Sequence, residues 1–127
     1  MKKLSALILS VLLLAGCGAV PKEASYTQIS QADAAALMES ETDYVILDVR
    51  TPGEFAGGHI ANAINLPNES IGTEEIPQLP RKDQLILVYC RSGNRSKQAS
   101  EKLAALGYTN IQEFGGINSW PGEVVTD

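Results

Sequence analysis

The sequence predicts a three-layer α/β domain: a mostly parallel, five-stranded sheet flanked by helices. Two runs of mostly apolar and β-branched residues, 44–49 and 85–89, carry no polar alternation and suit strands covered on both faces. Strand-like and helix-like segments then alternate along the chain, the order that builds a parallel sheet between helical layers. The length, 127 residues, holds one such core and not two.

The first segment is not part of that core. Met1-Lys2-Lys3, an apolar run over residues 4–14 broken only by serine, and Ala15-Gly16-Cys17 have the layout of a secretory signal. The run is too short to span a bilayer comfortably. Leu14-Ala15-Gly16-Cys17 resembles the lipobox of bacterial lipoproteins, which implies cleavage before Cys17 and a diacylglyceryl group on its thiol. An ordinary cleaved signal with an incidental cysteine is the alternative. The expected organisation is a lipoprotein signal peptide at 1–16, a lipidated cysteine and tether at 17–25, and a folded domain at 26–127. An exported protein follows, lipid-anchored to a bacterial membrane on its periplasmic or outer side, since two or more acyl chains anchor stably.

Within the domain, residues 26–29 suit a short first strand, and Ser30 is a natural N-cap for an alanine-rich helix at 31–39. The strand at 44–49 comes next. Pro52 opens a short helix to residue 55 that Gly57-Gly58 ends. Residues 63–66 form a third strand stopped by Pro67, and 68–82, with two prolines and many acids, reads as turns and loop. The strand at 85–89 runs into Cys90-Arg91-Ser92-Gly93-Asn94-Arg95 and a helix at 96–106, with Ala99, Leu103 and Leu106 at core spacing and Gly107 as its stop. Residues 111–114 make the fifth strand. Gly115-Gly116 and a last turn carrying Trp120 follow.

Removing the leader takes Lys2 and Lys3 from ten basic residues against fifteen acids, moving the net charge from −5 to about −7. So acidic a domain has no electrostatic footprint for nucleic acid. With Cys17 lipidated, Cys90 is the only thiol left, without an intramolecular disulfide partner in an oxidising compartment.

Ligand chemistry in open α/β sheets sits beyond the carboxyl ends of the strands. Both Asp48-Val49-Arg50 and the Cys90 loop fall there. Backbone N–H groups in a turn between a strand and a helix start can converge near the Cys90 sulfur, and Gly93 permits the backbone angles that a tight cradle needs. The helix N-terminus with Arg91 and Arg95 favours the nucleophilic thiolate. The alternative is a small buried hydrophobe at a strand end.

Two motifs now identify a family. Asp48-Val49-Arg50-Thr51-Pro52-Gly53-Glu54-Phe55, with Gly58-His59-Ile60 and Ala63-Ile64-Asn65-Leu66-Pro67, and the loop Cys90-Arg91-Ser92-Gly93-Asn94-Arg95-Ser96 resemble a single-domain rhodanese, a sulfurtransferase. Gly115-Gly116 followed by Trp120-Pro121 matches the family's closing segment. The resemblance implies a persulfide on Cys90, formed from the outer sulfur of thiosulfate or a similar donor and passed to cyanide or a thiol, with the amides of Ser92, Gly93 and Asn94 around the anion. It implies no cofactor, and a protein acceptor is possible. By the same resemblance Arg50 binds the donor's sulfonate end; a structural ion pair with Asp48 or Glu54 is the equal alternative. Arg95 binds substrate or pins the loop to Asp48, and Arg91 binds substrate or points to solvent.

Asp48 is expected to orient partners inside the fold, and His59, in its Gly-His-Ile setting, to close a turn rather than to act as a base. Trp120 is expected to pack near the site or the core. No metal-ligand spacing and no nucleotide-binding glycine motif is present. Cysteine phosphatases and arsenate reductases on related scaffolds use five residues between cysteine and arginine, whereas four separate Cys90 from Arg95. A non-catalytic envelope binding module and a thiol or persulfide relay to another exported protein remain as alternatives of other classes.

Overall fold

Residues 25–126 are described by a computed structural model. The expected signal peptide, the lipidation at Cys17 and nearly all of the tether lie outside the described residues.

The chain runs through β1 (Thr27–Gln28), α1 (Gln31–Ser40), β2 (Tyr44–Asp48), α2 (Pro52–Ala56), β3 (His59–Ile60) and β4 (Ile64–Asn65). After a 3-10 turn at Asn68–Ser70 come β5 (Leu85–Cys90), α3 (Asn94–Ala105), β6 (Ile111–Gly116), a second 3-10 turn at Ile117–Ser119, and β7 (Val124–Val125). The five-stranded sheet has the order β1-β6-β5-β2-β4, and every pairing in it is parallel.

β2 and β5 lie inside that sheet, which is why their sequences lack alternation: both faces are covered. On one face Leu47, Val49, Ile86, Val88 and Ile111 pack with Ala99 and Leu103 of α3. On the other, Ile46, Leu87, Tyr89 and Phe114 pack with Ala34 of α1. Successive residues of a strand point to opposite faces, so each strand feeds both layers. Burial of this kind contributes roughly 1.5–3 kcal/mol for each large apolar side chain.

The helix starts follow the sequence. Ser30 accepts from Asp33 N–H at 3.0 Å at the head of α1. Thr51 and Glu54 form a reciprocal capping box around Pro52. Three features differ from expectation. α3 begins at Asn94 rather than residue 96, because Gly93, at φ 113°, is its N-cap and carries no side chain to compete with the first turn. The third strand is only Ile64–Asn65. β3 and β7 form a separate antiparallel pair, two residues each, that no periodicity announced.

Candidate active site

The carboxyl ends of β2 and β5 lie side by side, with Asp48 in register with Tyr89. Asp48 is wholly buried and accepts five hydrogen bonds. Arg50 supplies its backbone N–H at 2.9 Å, Nε at 3.0 and 3.1 Å, and Nη2 at 2.7 Å; the Tyr89 hydroxyl donates at 2.6 Å. Arg50 Nη2 also donates to the Gly58 carbonyl at 2.7 Å. Burial, and then the Asp48 carboxylate, pushes the Tyr89 phenol well above its ordinary value, so it serves as a donor.

Cys90 closes β5 and is 1% exposed. Among the described residues it is the free thiol. Gly93 N–H donates to its Sγ at 3.0 Å, so the turn folds its backbone back onto the sulfur at the head of α3. The thiol in turn donates to Ser96 Oγ at 3.4 Å. The floor of the turn is backbone: a Cβ on Gly116 would lie 2.0 Å from the Arg91 carbonyl oxygen. β5 and β6 bring these together through a register shift, Val88 pairing with Glu113 but Cys90 with Gly116, so β6 carries one extra residue there.

Glu113, the last residue of β6 before that shift, lies beneath the turn. Its carboxylate is 2% exposed and accepts from the Ser96 hydroxyl and, at 3.0 Å, from Gly115 N–H. Sequence reasoning missed this residue. The signal was present, since Ile111 and Glu113 share a strand face and Ile111 is core; an acid at that position must have a buried partner.

The expected site residues separate into two groups. Arg91, Ser92 and Asn94 are exposed on the turn, while Gly93 is buried within it. Arg50 is 6% exposed and forms the ion pair with Asp48 that was one of its two expected roles. Of the two roles open to Arg95, the tie to Asp48 is not made: it grips Glu54 with Nη1 and Nη2 at 2.8 and 3.0 Å. The Asp48 carboxylate is taken instead by Arg50 and Tyr89. His59 stacks on Phe55 with ring centroids 3.7 Å apart, and its Nδ1 lies 2.9 Å from the Phe55 carbonyl. Trp120 packs against Phe114, centroids 5.4 Å apart. Among the described residues no group of three or more acids, histidines and cysteines could hold a metal ion.

Glu54 thus caps α2 and holds α3. Hydrogen bonding from Arg95 is the main cause that pulls its carboxyl down to about 2, from an ordinary 4.5. A depressed folded-state value stabilises the fold above the ordinary value and loses that contribution as pH falls through the depressed one. Wild type should therefore melt above Glu54→Gln at pH 6, with the gap closing between about 4.5 and about 2. Glutamine keeps the capping box, and thermal unfolding across that window is the measurement; a pH-independent gap would sink the assignment.

Residues 30–123 match the Rhodanese-like domain family. The chain is 35% identical over 71 residues to the thiosulfate sulfurtransferase PspE of Escherichia coli, covering 56% of this chain and 68% of that protein. A sulfurtransferase of Allochromatium vinosum is 42% identical over 81 residues, covering 61% and 72%. Among solved structures, the rhodanese-related protein of Thermoplasma volcanium superposes with a TM-score of 0.67 at 36% identity, covering 80% of this chain and all of that one. With the sheet order, the cysteine at the end of β5 and a match over most of its length in agreement, the chain belongs to the rhodanese-like family.

Proposed function

We propose that the domain is a sulfurtransferase that carries sulfur as a persulfide on Cys90. The single observation that carries this reading is the Gly93 N–H aimed at Cys90 Sγ from the head of a helix. First-turn amides of a helix have no intrahelical acceptor, and the dipole there favours an anion. A persulfide ends in such an anion. Sγ attacks the outer sulfur of thiosulfate or a similar donor, the donor's S–S bond breaks, and sulfite leaves with the electron pair. Cyanide or a thiol then takes the outer sulfur. Arg91, Ser92 and Asn94 form the exposed rim past which donor and acceptor arrive. Arg95 is held by Glu54, and four residues rather than the phosphatase five separate it from Cys90.

By the same proposal the mature chain is lipidated on Cys17 and held at the outer side of a bacterial membrane. The segment Leu14-Ala15-Gly16-Cys17 behind a basic start supports that part.

One measurement addresses both parts. The full chain, extracted from membranes and treated with thiosulfate, should show an intact mass with acyl groups on Cys17 and one added sulfur on Cys90. Cys90→Ser should take up no sulfur and yield no thiocyanate from cyanide. Sulfur uptake equal in Cys90→Ser, or none in wild type, would overturn the transfer; an unlipidated mass would overturn the anchor.

A further inference from the structure

Glu113 is a buried ionisable group that the mechanism above leaves unused. Glu113 and Cys90 are joined through a single hydroxyl: Cys90 donates to Ser96 Oγ at 3.4 Å, and the shortest contact of that hydroxyl is to Glu113 Oε2, ahead of the Gly93 carbonyl at 3.0 Å and the Gly115 carbonyl at 3.4 Å. We propose that Glu113 receives the Cys90 thiol proton through Ser96 when sulfur is loaded and returns it when sulfur leaves. This rests on Cys90 being the sulfur carrier.

The step balances. As Sγ bonds to the outer sulfur and sulfite departs, the thiol proton passes to Ser96 oxygen and the Ser96 proton to Glu113. The enzyme goes from neutral thiol and carboxylate to persulfide anion and neutral carboxylic acid. On discharge the acceptor takes the outer sulfur, the electron pair returns to Sγ, and the proton runs back.

The physical reason is burial. Cys90 and Glu113 are 1% and 2% exposed, and two anions linked by one hydroxyl in so dry a place repel strongly. Moving the proton keeps one negative charge in the turn throughout the cycle. Nearby cations do not remove the conflict. Arg95, on the first turn of α3, is near enough to feel a Cys90 anion but spends its hydrogen bonds on Glu54 of α2; Arg50, at the end of β2, is sealed against Asp48; Arg91 on the turn and Lys97 on α3 are exposed. Glu113 is instead held ready by Gly115 N–H, which fixes the same oxygen that faces Ser96.

Glu113→Gln keeps the shape and can still bond Ser96 but accepts no proton. In the full chain, single-turnover loading from thiosulfate at pH 7, followed by intact mass, should fall about a hundredfold. The loss should shrink steadily as pH rises, because hydroxide then takes the thiol proton. Ser96→Ala should give the same profile, and the double variant should lose no more than either alone. Unchanged loading, an equal loss at every pH, or faster loading at neutral pH would each overturn the relay; the last would mean that the carboxylate acts only as an opposing charge. Alkylation of Cys90 by iodoacetamide across the same pH range separates the two proposals. If wild type takes up no sulfur yet alkylation shows the same pH-dependent loss in Glu113→Gln, the relay stands and sulfur transfer falls.

Discussion

Asp48→Ala should remove a large share of the domain's stability. The substitution strips the partner from a guanidinium that is 6% exposed and from a phenol with no exposure, while removing the acceptor of five hydrogen bonds. Breaking a buried pair by deleting one member costs about 3–5 kcal/mol, against a total stability of about 5–15 kcal/mol. The denaturation midpoint measures it. Asp48→Asn should recover only part of the loss, because it can still accept from Tyr89 but leaves the Arg50 charge uncompensated. The double change Asp48→Leu with Arg50→Met should be milder than Asp48→Ala, since no charge is then stranded. A loss below about 1 kcal/mol for Asp48→Ala would mean that the pair is more solvated than its geometry indicates.

Gly116→Ala should preserve the sheet and remove most of the activity. The added methyl would sit 2.0 Å from the Arg91 oxygen, 2.3 Å from its carbonyl carbon and 2.6 Å from Ser92 N. All three are backbone atoms, so no side chain can step aside. The turn itself must move, and the Gly93 hydrogen bond to Sγ moves with it. Displacing a reacting group by about 1 Å costs on the order of a hundredfold in rate, so thiocyanate formation should drop by that factor while far-UV circular dichroism stays unchanged. Gly53→Ala is the control, because nothing lies within 4 Å of a Cβ there. Equal activity in the two variants would show that the turn tolerates displacement.

Elements with local causes were legible in the sequence. The two-sided strands announce themselves by composition, α1 by its N-cap serine, α2 by the proline that opens it and the glycines that end it, and the turn at Cys90 by its glycine and its position after a buried strand. Long-range choices were not. Arg50 stands between two acids, Asp48 and Glu54, and the chain alone does not say which it meets; the buried end of β2 decides for Asp48. Glu54 is then left for Arg95, 41 positions away. The β3–β7 pair joins two dipeptides from distant parts of the chain, too short for any period to register. Glu113 escaped because its partner, Ser96, belongs to the neighbouring helix, 17 positions away.

That extra residue in β6 bears on how portable the chemistry is. Copying the hexapeptide that starts at Cys90 onto an evenly registered sheet would transplant the letters without the function, because the glycine floor and the acid beneath it would arrive out of step. A designer wishing to move this nucleophile to another scaffold must carry two adjacent strands and their mismatch as one cassette.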